Sequence, residues 1–313
     1  SGAEILRLWV AQADYTVDLR IGKEILKGTA DSYRRLRNTM RFLLGNLAGF
    51  SDAEKVDAQD MPELEQWVLH RLAELDAEVR TGYAKYDFQG VFQKLFTFAT
   101  TDLSAVYFDI RKDSLYCDAP TTLRRRAART VLDIVFHRLT TWLAPVLVFT
   151  MEEVWLCRFP GADSSVHLVD MPETPAAWLN PALAAKWEGI RAARRVVTGA
   201  LEVQRTAKVI GASLEAAPVV HVADTAILAA LESVDFSAWR DWSDELPPPG
   251  QWQALASALR EFGYSVSDEA DEVPSRVSVS GVLPQVRVRL IDMMRPSSRS
   301  GTACCRKVVT GTT

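Results

Sequence analysis

Cysteine and histidine are scarce in this chain, with four of each in 313 residues. Cys117 and Cys157 lie far apart inside helical patterns. Buried free thiols are expected there, not a disulfide scaffold, and a reducing cytoplasm suits them. His70, His137, His167 and His221 are dispersed, with no pair at metal-ligand spacing. No glycine-rich phosphate loop occurs, and the adjacent Glu152 and Glu153 point to different helix faces, so they form no carboxylate pair. Apolar runs of about 18 residues are missing, so no membrane span is expected. The first residues, SGAEILRLWV, lack the basic-then-apolar order of a signal peptide. No catalytic constellation, metal site or cofactor site is expected. The net charge of −4 and pI near 5.7 argue against indiscriminate nucleic-acid binding, but they allow local basic patches in an acidic whole.

What is present is helical periodicity. Leu64, Trp67, Val68, Leu72, Leu75 and Val79 repeat at helical spacing, as do Phe88, Val91, Phe92, Leu95, Phe98 and Ala99, continuing towards Val106 and Ile110. Val131, Ile134, Val135, Leu139, Trp142 and Leu143 mark a further helix, which Pro145 interrupts before the apolar segment from Val146 to Trp155. The connections Asp52 to Asp60, Lys85 to Asp87 and Asp118 to Thr122 are short, and long helices on short loops pack antiparallel as a bundle. The expected fold is mainly α: a helix bundle over 1–159, a proline-punctuated linker over 160–181, a small α+β domain over 182–294, and a disordered tail over 295–313. In the second domain, Trp187, Ile190, Val197 and Leu201 mark a helix, Lys208 to Ala216 and Val219 to Ala223 read as strands, and Thr225 to Val234 and Gln251 to Phe262 read as helices. A loop carries Pro247 to Gly250, and Arg276 to Ile291 reads as a hairpin turning near Gly281.

Arginine is concentrated. Arg34, Arg37, Asn38 and Arg41 follow i, i+3, i+4, i+7 and share one helical face, with Arg35 beside them, while Leu36, Met40, Leu43 and Leu44 form an apolar stripe on another. Guanidinium forks on a helix with one core face suit a phosphate backbone. The other readings are a solvated face, or Arg37 and Asn38 as buried structural groups. Arg124, Arg125, Arg126 and Arg129 open the third bundle helix, where they oppose the macrodipole; either a phosphate or acids such as Asp113 and Asp118 hold them. Arg191, Arg194, Arg195, Arg205 and Lys208 form a third cluster, fit for RNA or for an interdomain ion-pair network. Trp67, Phe92, Phe98, Phe108 and Trp142 belong to apolar stripes and the core. Trp178, Trp239, Trp242 and Trp252 lie in or near linkers, as base-stacking faces or packing residues.

The segments GAEILRLWVAQADYTVDLRIGKEIL and YRRLRNTMRFLLGNL closely resemble the part that follows the catalytic core in bacterial isoleucyl-tRNA synthetases, of the class I aminoacyl-tRNA synthetase family. TDLSAVYFDIRKDSLYCD, LAPVLVFTMEEVW, SVHL and RTAKVIGASLEA continue the resemblance in order, over about Ser1 to Ala217. It implies an anticodon-binding helix bundle that recognises the anticodon stem and loop of tRNA(Ile) for aminoacylation in protein biosynthesis, in the cytoplasm, as a monomer. The candidate tRNA-binding residues are Arg34, Arg35, Arg37, Asn38, Arg41, Arg124, Arg125 and Arg126. The family's HIGH and KMSKS strings are both missing, so the chain reads as a carboxy-terminal portion that is inactive alone and holds no cofactor, whereas a parent enzyme would use ATP and isoleucine. Cys304 and Cys305 are adjacent where the family's zinc module carries Cys-x-x-Cys pairs, so no zinc is expected. Two alternatives remain: the same module from a valine or leucine enzyme, and a helical protein-interaction scaffold without specific RNA binding.

Overall fold

The computed structural model describes residues 2–211, 218–222, 224–234, 265–268, 276–280 and 286–291. The chain divides into two compact units, Ser1–Pro181 and Ala182–Thr313. The first contains α1 (Ala3–Gln12), α2 (Lys23–Asn46), α3 (Glu63–Ala84), α4 (Phe88–Thr97), a π-helical segment (Phe98–Tyr107), α5 (Phe108–Tyr116), α6 (Leu123–Leu143) and α7 (Val148–Arg158). The protein is mainly α. Every apolar residue assigned above to the α3 stripe is buried, and Trp67, Phe92, Phe98, Phe108 and Trp142 are core residues. Each fully buried large apolar side chain of this kind contributes about 1.5–3 kcal/mol.

Pro145 ends α6 and forces a break before α7, which strands carbonyls on one side and amides on the other. One helix repairs both. Arg7 of α1 donates to the carbonyls of Val146 at 3.0 Å and Pro145 at 2.8 Å. Glu4, three residues earlier and on the same face, accepts from the Phe149 amide at 3.1 Å and the Thr150 hydroxyl at 2.9 Å, at the positive end of α7. The α3–α4 corner needs a glycine: a Cβ on Gly82 would collide with Val91.

The rod from Phe88 to Tyr116 is not one α-helix, as periodicity suggested. Its middle is π-helical, and the inward residues Phe98, Ala99, Asp102, Leu103, Val106 and Tyr107 recur at intervals longer than an α-turn. Ser104 marks the wider turn by donating to the carbonyl five residues back, Ala99, at 2.8 Å. The widening brings Asp102 inward, where it is 3% exposed and receives Arg71 Nε at 3.3 Å. Deeper still, Arg111 of α5 meets Glu65 of α3 through two bonds of 2.6 Å, and the Tyr107 hydroxyl donates to the same carboxylate at 3.1 Å. Burial, reinforced by the Glu65 charge, holds the Tyr107 phenol well above its ordinary pKa, so it stays a donor.

One expectation is corrected. Cys117 and Cys157 are free but exposed: Cys117 caps the end of α5, and Cys157 lies on the outward face of α7. The 160–181 stretch, expected as a linker, packs on the bundle. Glu152 accepts from the Val166 amide at 2.9 Å and the Ser165 hydroxyl at 3.0 Å, which anchors it to α7 while Glu153 faces solvent.

The second unit holds α8 (Pro181–Thr206), β1 (Pro218–Val222), α9 (Thr225–Glu232), β2 (Ser265–Asp268), β3 (Arg276–Ser280) and β4 (Val286–Ile291). The strands form an antiparallel sheet in the order β1-β4-β3-β2, with Val279 opposite Val288 and Val220 opposite Val288 on its other side. Val197, Ala200, Leu201 and Ile210 form a small core. The Asp224 carboxylate caps α9 by accepting from the Ala226 and Ile227 amides. The expected strand from Lys208 does not form over 208–211, where the chain turns and Lys208 has φ of 58°. β2 is an addition to the sequence reading. Residues 212–217, Gly281, the loop at Pro247 to Gly250, the helix expected over 251–262, Trp239, Trp242, Trp252, Cys304, Cys305 and the tail over 295–313 lie outside the described residues.

Candidate nucleic-acid interface

α2 runs for 24 residues without proline, and one side of it is covered. Thr29, Leu36, Thr39, Met40 and Leu43 are buried against α1, the π-helical segment, α6 and α7. The Tyr33 hydroxyl bonds the Thr150 hydroxyl at 3.0 Å, and Phe42 stacks on Phe108 with centroids 4.2 Å apart. These contacts fix the roll of the helix and leave Arg34, Arg35, Arg37, Asn38 and Arg41 exposed. Arg34 pairs with Asp31 at 2.9 Å, with both side chains open to solvent, a contact worth little. Among the described residues Arg37 reaches only the Tyr33 hydroxyl, at 3.4 Å. Arg35, Asn38 and Arg41 have no side-chain hydrogen bond or ion pair among the described residues. Arg37 and Asn38 are thus not the buried structural groups that one sequence reading offered.

The second cluster differs. Arg124 forms a fork on Asp118, with bonds of 3.0 and 3.1 Å, and this bonding holds the Asp118 carboxyl below the usual carboxylate range. Arg125 donates to the Asp118 carbonyl at 2.6 Å. Arg126 donates to the carbonyls of Ala53, Glu54 and Lys55 at 3.2 to 3.4 Å. Arg129 is 9% exposed and binds the carbonyls of Asn46 at 3.1 Å and Ala48 at 2.8 Å, pairs with Glu54, and lies over the Phe50 ring. Arg126 and Arg129 oppose the macrodipole at the start of α6 because they supply donors to carbonyls of the α2–α3 connection, while Arg124 and Arg125 hold Asp118. Of the third cluster, Arg195 pairs with Glu188 and Arg205 with Glu202, both on the surface of α8, and Lys208 is exposed in its turn.

The 171–180 segment is held in the same manner. Arg80 donates to the carbonyls of Met171 and Pro172. Arg138, 5% exposed, donates to the Glu173 carbonyl at 2.9 Å and the Thr174 hydroxyl at 3.2 Å, and its guanidinium lies 4.8 Å from the centroid of Trp178. Burial lowers the Arg138 pKa to about 10, so it remains charged at neutral pH. His70, 2% exposed, accepts the Asn180 amide on Nδ1 at 2.9 Å, which leaves its proton on Nε2, 3.3 Å from Glu74.

No described helix is long and apolar enough to cross a membrane. Over 235 residues the chain is 68% identical to an isoleucine–tRNA ligase of Ruegeria pomeroyi, which covers 75% of this chain and 24% of that protein. Over 237 residues it is 58% identical to that of Agrobacterium fabrum, covering 76% of this chain and 24% of that protein. The chain thus spans about a quarter of the length of these curated relatives. Among solved structures, the ternary complex LeuRS–tRNA–LeuAMS of Agrobacterium radiobacter K84 is 15% identical, with a TM-score of 0.42 over 57% of this chain and 20% of that one. Residues 65–221, half of the chain, match the family model described as the anticodon-binding domain of tRNA ligase, and the chain belongs to that family.

Proposed function

We propose that this chain binds tRNA, the isoleucine acceptor, by its anticodon stem and loop. In this reading Arg34, Arg35, Arg37 and Arg41 on α2 take phosphates, and Asn38 meets a base edge or the backbone. Arg124, Arg125 and Arg126 act chiefly by shaping the surface beside them. Phosphate contacts supply affinity and base contacts supply identity. The observation that carries this reading is the row of exposed guanidinium groups on α2, of which those of Arg35 and Arg41 are free of protein partners among the described residues. The chain works as a monomer in the cytoplasm and holds no nucleotide or amino acid itself; a parent isoleucine–tRNA ligase would use ATP and isoleucine elsewhere.

Competition between two RNA hairpins tests it. An anticodon stem-loop of tRNA(Ile) is expected to displace the full transcript at nearly the transcript's own affinity, while an acceptor-arm hairpin of equal charge competes at least about tenfold more weakly. Equal competition by the two hairpins would refute anticodon-arm binding.

A further inference from the structure

Between the α2–α3 connection and the 171–180 segment the first unit has a cleft of about 380 Å³, lined among others by Asp57, Gln59, Gln66, Leu69, Trp178 and Asn180. Resting on the RNA-binding reading above, we propose that this cleft receives one extruded base of the bound RNA, stacked on Trp178, with preference for a base that carries an exocyclic amino group.

The volume falls in the range of about 300–1,000 Å³ usual for small-molecule sites, so a base with part of its ribose fits. Both walls are fixed in advance. Arg126, Arg129 and the Thr130 hydroxyl, which accepts the Val56 amide at 3.2 Å, hold one wall. Arg80, Arg138 and His70 hold the other. Such preorganisation spares a ligand the cost of ordering the site. Trp178 is half-buried with the Arg138 guanidinium against its ring, so the indole is a rigid platform. Base stacking on aromatic rings is the general mode by which proteins hold unpaired RNA bases.

The polar groups favour a base over the backbone. The Asp57 carboxylate is exposed and would repel a phosphate, and no cation lines the cleft. Gln66 gives its Nε2 to the Met61 carbonyl at 2.8 Å, which leaves Oε1 as its uncommitted end, an acceptor. Gln59 is exposed and can offer either end of its amide. Carboxylate and amide oxygens match the amino groups of guanine, adenine or cytosine, whereas uracil has no amino group and presents its one N3–H between two carbonyl oxygens, which a carboxylate repels. Phosphates are thus taken by α2 and a base by the cleft.

The test is abasic scanning of the anticodon loop, one nucleotide at a time, against the wild-type chain and Trp178→Ala. With the wild type, removal of one particular base is expected to weaken binding roughly 5- to 150-fold. With Trp178→Ala that penalty disappears, because intact and abasic RNA bind alike, while Trp178→Phe restores part of it. Gln59→Ala, at an exposed position, covers the case in which Trp178→Ala does not fold; it is expected to reduce discrimination at that same loop position between the base and its analogue without the amine. Normal binding with the same abasic profile in wild type and Trp178→Ala, or with discrimination unchanged in Gln59→Ala, would overturn the cleft alone. Failure of the wild-type chain to bind the intact transcript would remove the RNA-binding reading and the cleft with it.

Discussion

Replacing Arg37 and Arg41 by alanine is expected to weaken tRNA binding by roughly a hundredfold near physiological salt. The two residues lie one turn apart on the open face of α2. Hydrogen bonds to charged groups contribute about 1.5–3 kcal/mol each, and about 1.4 kcal/mol is tenfold in Kd. The salt dependence should also flatten, by about one unit of log–log slope for each phosphate left without its arginine, since every neutralised phosphate releases condensed counterions. Stability should hardly change, because neither side chain is buried and surface substitutions of this kind stay within about 0.5 kcal/mol. Thermal melts and titrations at several salt concentrations read the two effects separately. A double variant with wild-type affinity and slope would show that α2 is not the RNA face.

The second large effect concerns folding. Arg111→Met leaves the Glu65 carboxylate fully buried without its cation, with the Tyr107 hydroxyl as its remaining side-chain partner among the described residues. Breaking a buried pair from one side costs about 3–5 kcal/mol. Adding Glu65→Leu should recover most of that loss, because the desolvated charge is then gone as well. Chemical denaturation of the three proteins measures it. A single variant as stable as wild type would mean that the pair carries no such weight in the packing of α3 against α5.

The helices were legible because core packing repeats at the α period: Leu36, Met40 and Leu43, or Leu64 to Val79, are buried as their spacing implies. The π-helical segment was hidden, because Phe98, Ala99, Val106 and Ile110 also satisfy a loose α pattern, and the longer period shows in the inward turn of Asp102 towards Arg71 and the bond from Ser104 to Ala99. The α2 face was legible for the same reason as the core, since Arg34, Arg37, Asn38 and Arg41 lie opposite a stripe that had to be buried. Asp118 was among the acids expected to hold this cluster, and it holds Arg124, but the role of Arg126 and Arg129 was not legible. A run of arginine at a helix start has one appearance in sequence whether it meets phosphates or carbonyls, and its partners at Ala53 to Lys55 are some seventy residues away. The cysteines misled because a helical pattern does not say which face a residue takes at a helix end, where Cys117 lies. The cleft could not be read at all, since its walls come from the start of α3 and two irregular segments that meet only in the fold.

The most direct test of anticodon recognition is a titration of the wild-type chain with two tRNA(Ile) transcripts that differ only in the three anticodon nucleotides, at one fixed salt concentration. Both carry the same phosphates, so the α2 arginines cannot distinguish them. Base contacts can, at roughly 1–3 kcal/mol for each unstacked base or mismatched edge. The expected result is at least about tenfold weaker binding of the altered transcript, with the same salt slope. Equal Kd values for the two would contradict anticodon recognition and leave only a basic helix that binds any polyanion.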